Sequence, residues 1–135
     1  MKIIIAGAGD VGFHLAKLLA SESHDIYLLD KSEERLSAVS SQIDVFTIAG
    51  DAKSVEIMEQ ELISTCDLLI AVTSSEETNL LTCIIGKKLG AKRTIARIND
   101  VNIIKENRES FYNELGIDTL ISPTHLATLE IERLI

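Results

Sequence analysis

Tryptophan is absent from this 135-residue chain, aromatic residues make up 4% of it, and proline occurs once. A core must therefore be built from Ile, Leu, Val and Ala. Apolar residues are 46% of the sequence, enough to form such a core without metals or disulfides. The two cysteines, Cys66 and Cys83, form neither a CxxC pair nor a Cys/His cluster, and both read as small buried apolar residues. Basic residues are also scarce: the net charge is −8. No basic face is visible that would grip nucleic-acid phosphates, and no basic amphipathic stretch points to a membrane surface. The longest apolar run, Leu68 to Val72, is far too short to span a bilayer. Met1 leads directly into a strand-like run without a signal-peptide layout, so a cytoplasmic location is expected.

The chain alternates short aliphatic runs with helical patterns. The runs are Lys2–Ala6, Asp25–Leu29, Val45–Ile48, Leu68–Val72, Thr94–Arg97 and Thr119–Ile121. Several are apolar without alternation, as expected for strands covered by helices on both faces. This predicts an α/β, three-layer Rossmann fold with a doubly wound, parallel, six-stranded sheet. Val11, Leu15, Leu18 and Leu19 mark one face of the first helix. Ser32 is placed to cap a second, and a third covers Ser54 to Leu62. Ser74 and Glu77 form a capping-box pattern opening a fourth, stopped after Leu89 by Gly90. A fifth is expected over Val101–Leu115.

Ser122 and Pro123 read as an N-cap and first helical position. The helix that follows carries an apolar stripe, Ala127, Ile131, Leu134 and Ile135, up to the last residue. It packs on a partner, belongs to a longer chain, or lies back on its own sheet. The expected division is a Rossmann core over 1–121 and a protruding crossover or dimerisation helix over 122–135, within a fragment of a longer protein.

The opening IIIAGAGDVG matches G-x-G-x-x-G between a strand and a helix. Gly7 permits the tight turn, Gly9 lets a pyrophosphate approach the backbone, and Gly12 lets the helix pack on the sheet. Ala8, Asp10 and Val11 complete the candidate loop, and free N–H groups at the helix start then face the phosphates, aided by the helix dipole. Asp30 follows the second strand, 18 residues past Gly12, where an acid accepts hydrogen bonds from the adenosine ribose. It also disfavours a 2′-phosphate, although Lys31 weakens that discrimination. Other candidates sit at strand ends: Asp51 and Ala52 for the adenine, Thr73 and Ser74 after the fourth strand, and Arg97 closing the fifth. Asp51 and Ser74 are equally suited to turn and cap roles, and Arg97 to a surface ion pair.

Beyond these features, MKIIIAGAGDVG, LLD, AVTSSEETNLL, ARI and LISPTHLATLEIERLI resemble the N-terminal domain family of TrkA, in the RCK (KTN) class of potassium-conductance regulators. The resemblance covers the whole chain. It implies a non-enzymatic cytoplasmic sensor of NAD(H), ATP or ADP. The ligand would contact the Gly7–Gly12 loop, Asp30, Thr73, Ser74 and Arg97, with Asp51 and Ala52 on the adenine side. It also implies homo-oligomers, from a dimer towards a ring, and a helix after Pro123 that crosses to a neighbour. The partner would be a potassium-translocating membrane subunit, which holds the domain at the inner membrane face without insertion. Asp10 stands where related sensors often carry Arg or Gln. A carboxylate there would repel a triphosphate by roughly 1–4 kcal/mol, depending on screening, which favours NAD(H) or an ADP-sized ligand. The alternative is the cofactor-binding domain of an NAD-dependent oxidoreductase. However, hydride transfer usually needs a proton donor, and His14, His24 and His125 do not fall at strand carboxyl ends.

Overall fold

The computed structural model describes residues 1–61, 63–99 and 108–122. Six strands form one sheet: β1 (Lys2–Ala6), β2 (Asp25–Asp30), β3 (Phe46–Ala49), β4 (Leu68–Ala71), β5 (Arg93–Arg97) and β6 (Thr119–Ile121). All pairings are parallel, in the order β3-β2-β1-β4-β5-β6. The chain therefore winds outward from β1 in one direction, then returns to build the other half from β4. The strand order reverses between β1 and β4, the place where open α/β sheets bind ligands at their carboxyl edge.

Alternate residues of β1 serve opposite faces. Ile3 and Ile5 join Leu15, Leu19, Leu36 and Val39, so α1 (Asp10–Ala20) and α2 (Glu33–Ser40) cover one face. Ile4 and Ala6 join Met58, Leu69, Cys66 and Cys83, which places α3 (Val55–Gln60) and α4 (Glu76–Leu89) on the other. This double coverage is why the strands read as unbroken apolar runs. Burial pushes the Cys66 thiol up to about 11 and the Cys83 thiol to about 12, so both stay protonated as packing groups.

Three helices start with the same device. The hydroxyls of Ser32, Ser54 and Ser75 accept from the N–H three residues on, at Arg35, Ile57 and Thr78. The cap of α4 is thus Ser75, one residue later than the Ser74 pattern predicts. Thr73 supplies the reason: its hydroxyl accepts the Ser75 N–H at 3.2 Å, and this side-chain turn uses one more residue before the helix begins. Gly90 ends α4 in the left-handed region, as expected. Of the fifth predicted helix, the described part is α5 (Glu109–Glu114). The rest of it, and the helix expected after Ser122, lie outside the described residues.

Candidate functional site at the carboxyl edge

The glycine loop leaves β1 at the sheet's centre. Gly7 takes φ +116, and its N–H donates to the Leu29 carbonyl at 2.8 Å, tying the turn to β2. A β-carbon on Gly12 would stand 1.7 Å from the Gly7 carbonyl oxygen, so α1 touches the loop main chain there. Gly12 is buried beneath the loop and meets no cleft; its place is in packing. Gly9 differs. As N-cap of α1 it has φ −78 and ψ −163, open to any residue, and a β-carbon would meet only the Arg35 guanidinium at 4.0 Å. Space is therefore left above Gly9 itself, beside the free N–H groups of Asp10 and Val11 at the helix mouth.

Asp30, the last residue of β2, reaches back to this loop. Its Oδ2 accepts the Ala8 N–H at 2.8 Å, and its Oδ1 accepts the Ser32 N–H at 2.8 Å. One carboxylate thus fixes both the glycine loop and the start of α2. Each oxygen keeps a further lone pair for a ligand hydroxyl.

Two clefts meet at this carboxylate. The first, about 340 Å³, is lined by Gly7, Asp30, Lys31, Ser32, Arg35, Asp51, Ala52, Thr73, Ser74 and Thr78, among others. The second, about 350 Å³, runs across the loop and is lined by Gly7, Gly9, Asp10, Val11, Asp30, Arg35, Thr73, Ser74 and Arg97. Ala8 lines a shallower groove between α1 and α2. The fold therefore gathers twelve of the thirteen sequence-predicted positions at one edge, Gly12 being the exception.

On the first cleft's outer wall, Asp51 carries Lys31 at 3.6 Å and Lys53 at 3.9 Å. The Lys53 main-chain N–H, followed by the ammonium groups of Lys31 and Lys53, holds the Asp51 carboxyl below its ordinary value against the opposing effect of desolvation. Lys31 is thus occupied by Asp51.

Two residues outside the predicted set organise the site. Asn79 is 1% exposed. Its Oδ1 accepts the Thr73 N–H at 2.8 Å and the Thr73 hydroxyl at 2.7 Å; its Nδ2 donates to the carbonyls of Thr73 and Arg97, both at 3.0 Å. It joins the ends of β4 and β5. Its position in AVTSSEETN is visible in the sequence, but nothing there shows what its amide meets. Arg35, in the first turn of α2, borders both clefts and the groove.

Of the described histidines, His14 is exposed on α1 and His24 sits with the N-terminal amine and Glu22. Neither reaches the clefts. Among the described residues no group of three or more His, Cys, Asp or Glu side chains is arranged to hold a metal ion, and no helix is long and apolar enough to cross a membrane.

Residues 3–123 match the family model of the TrkA-N domain. The chain belongs to the TrkA-N domain family. The Trk system potassium uptake protein TrkA of Haemophilus influenzae is 41% identical over 137 residues, which take in 100% of this chain and 30% of that protein. The chain thus spans about a third of that relative's length. Among solved structures, the TrkA-N domain of the inner membrane protein ybaL from Escherichia coli superposes with a TM-score of 0.77 at 16% identity, covering 99% of this chain and 96% of that one. The GsuK channel bound to NAD gives 0.74 at 14% identity, over 89% of this chain and 21% of that one. At such identities the likeness establishes the fold alone.

The side chains and main-chain groups of this TrkA-N domain suit a ligand that carries phosphate and hydroxyl groups. The space over Gly9 suits a group that must approach main-chain amides. Asp30 presents acceptors for hydroxyls. Among the described residues Arg97 Nε is buried without a hydrogen-bond partner and borders the same cleft, a donor suited to an anion or water. No carboxylate among the described residues pairs with Arg97.

Proposed function

We propose that this TrkA-N domain binds NAD(H), with ADP or ATP as further ligands, and acts as a cytoplasmic nucleotide-sensing regulator of a potassium uptake system rather than as an enzyme. The observation that carries the reading is the Asp30 bridge: a carboxylate at the end of β2 hydrogen-bonded to the glycine loop, beside open space over Gly9. In this arrangement the amides of Asp10 and Val11 would hold the diphosphate and Asp30 the adenosine ribose. Ala52 and Asp51 would border the base, and Thr73, Ser74 and Arg97 the far half. Bound NAD(H) would serve as a signal, not a reactant. Asp10, exposed at the first turn of α1, adds a negative charge to the cleft rim and favours a dinucleotide over a triphosphate.

The name of the Haemophilus influenzae relative, a Trk system potassium uptake protein, supports potassium uptake as the process. The regulated species would be a homo-oligomer docked on a membrane translocating subunit, with residues 1–121 as its Rossmann core and residues 122–135 crossing to a neighbour. Ligand acts by favouring one arrangement of neighbouring domains over another; without differential affinity it shifts nothing.

Calorimetric titration with NADH, NAD, ADP and ATP tests the reading. Saturable NADH binding is the expected result, with ATP weaker. ATP clearly tighter than NADH would refute the role given to Asp10, and no binding of any of the four would refute the sensor.

A further inference from the structure

We propose that Arg35 is the specificity-determining side chain of this site: its guanidinium takes the phosphate attached to the adenosine, so that the domain selects a 5′-phosphorylated adenosine over the bare nucleoside. The inference rests on the nucleotide reading above and adds a residue that neither the glycine motif nor Asp30 contains.

Position comes first. Ser32 Oγ accepts the Arg35 N–H at 3.2 Å, and the Ser32 N–H is held in turn by Asp30 Oδ1 at 2.8 Å. The other oxygen of that carboxylate holds Ala8 in the glycine loop. The first turn of α2 is therefore tied through one side chain to the main chain expected to face phosphate. From this fixed start the Arg35 side chain leans over the loop, and its Nη1 lies 4.0 Å from where a β-carbon on Gly9 would stand. It is the one residue common to both clefts and the groove between α1 and α2.

Charge comes second. Nearby lysines are spoken for: Lys31 and Lys53 both pair with Asp51, at 3.6 and 3.9 Å. The Arg35 guanidinium has no ion pair or side-chain hydrogen bond among the described residues, although Asp10 and Asp30 border the same cleft. A planar fork of five donors, left over the entrance to an amide-lined loop, matches a phosphate in geometry as well as sign. Arg97, at the end of β5, lines the same cleft as Arg35, and its buried Nε has no hydrogen-bond partner among the described residues.

The test is a calorimetric series with adenosine, 5′-AMP, 2′-AMP and ADP on the chain and on its Arg35→Ala and Arg35→Lys variants. Arg35 is exposed, so both variants are expected to melt with the parent. Arg35→Ala should weaken 5′-AMP and ADP by about 10- to 100-fold, the loss of a charge-assisted contact. Adenosine affinity should stay unchanged, and the dependence of 5′-AMP binding on salt should become shallower. Arg35→Lys should recover only part of the loss, since an ammonium lacks the fork. Equal losses for adenosine and 5′-AMP would make Arg35 a base or scaffold contact, and a loss confined to 2′-AMP would move it to the ribose edge; either overturns the proposal. Unchanged affinity in Arg35→Ala, with normal binding by the parent, overturns it while leaving the nucleotide site standing. A parent chain that binds none of the four removes both.

Discussion

Gly9 and Gly12 belong to one motif, yet the structure gives them separable tasks, and alanine at each position tells them apart. At Gly12 the new β-carbon would sit 1.7 Å from the Gly7 carbonyl oxygen and 2.8 Å from its carbon, where real contacts fall no shorter than 3.0 Å. The obstacle is main chain, in a turn already at φ +116 and bonded to Leu29, so it cannot swing aside as a side chain would. The helix must withdraw, opening the packing of Leu15 and Leu19 on the sheet. Overpacking of this kind costs about 3 kcal/mol. For a domain of this size that lowers the melting temperature by roughly 10 °C. At Gly9 the backbone suits alanine, and the nearest atom is 4.0 Å away at the end of a flexible arginine. Losing a good N-cap costs about 1 kcal/mol, and the lower entropy of the unfolded chain offsets much of it. Gly9→Ala should therefore melt within about 3 °C of the parent, using the same scaling. It should also bind NADH at least about tenfold more weakly, because a methyl group then stands where phosphate must meet the amides. Thermal unfolding without ligand, paired with NADH calorimetry, reads both effects. Gly9→Ala with undiminished NADH affinity would refute the loop assignment, and Gly12→Ala melting with the parent would refute the packing.

Three further outcomes follow from named contacts. Asp30→Ala should weaken every adenosine ligand and cost about 1–3 kcal/mol of stability, because the N–H groups of Ala8 and Ser32 lose their acceptor; calorimetry and denaturant melts measure the two parts. Asn79→Ala should cost about 3 kcal/mol, since it strands buried partners on Thr73 and Arg97; an unchanged urea midpoint would refute its role in joining β4 to β5. The Asp51 carboxyl is held below its ordinary 3.8. The folded state thus binds the proton less readily than the unfolded chain, so the stabilisation is complete above 3.8 and lost as pH falls through the lowered value. Acid melts of Asp51→Asn should therefore fall less steeply in that window than those of the parent.

Local regularities make much of this fold legible in the sequence. Strands buried on both faces announce themselves as aliphatic runs, and β1, β4 and β5 lie close to where those runs fall. β3 sits at the sheet edge with Phe46, Thr47 and Ala49 exposed, so its pattern is weak and its start shifts by one residue from the expected Val45. The glycine loop and Asp30 were readable because their spacing along the chain carries the constraint. Arg35 and Asn79 were not. One gains its meaning from a loop 26 residues earlier, the other from a carbonyl 18 residues later, and no sequence period encodes either meeting. The cap of α4 was misplaced for a related reason: whether Ser74 or Ser75 starts a helix depends on where Thr73 is pulled by Asn79.

The double duty of Asp30 also constrains how such a protein can change its preference. Swapping this acid for a small neutral residue is the obvious route to accepting a phosphorylated ribose. Here that exchange would loosen the glycine loop and the start of α2, because the same two oxygens steady both. A lineage, or an engineer, moving towards the phosphorylated cofactor would have to supply a replacement acceptor for Ala8 and Ser32 first. On the proposed reading, ligand preference and loop geometry are therefore coupled through one side chain.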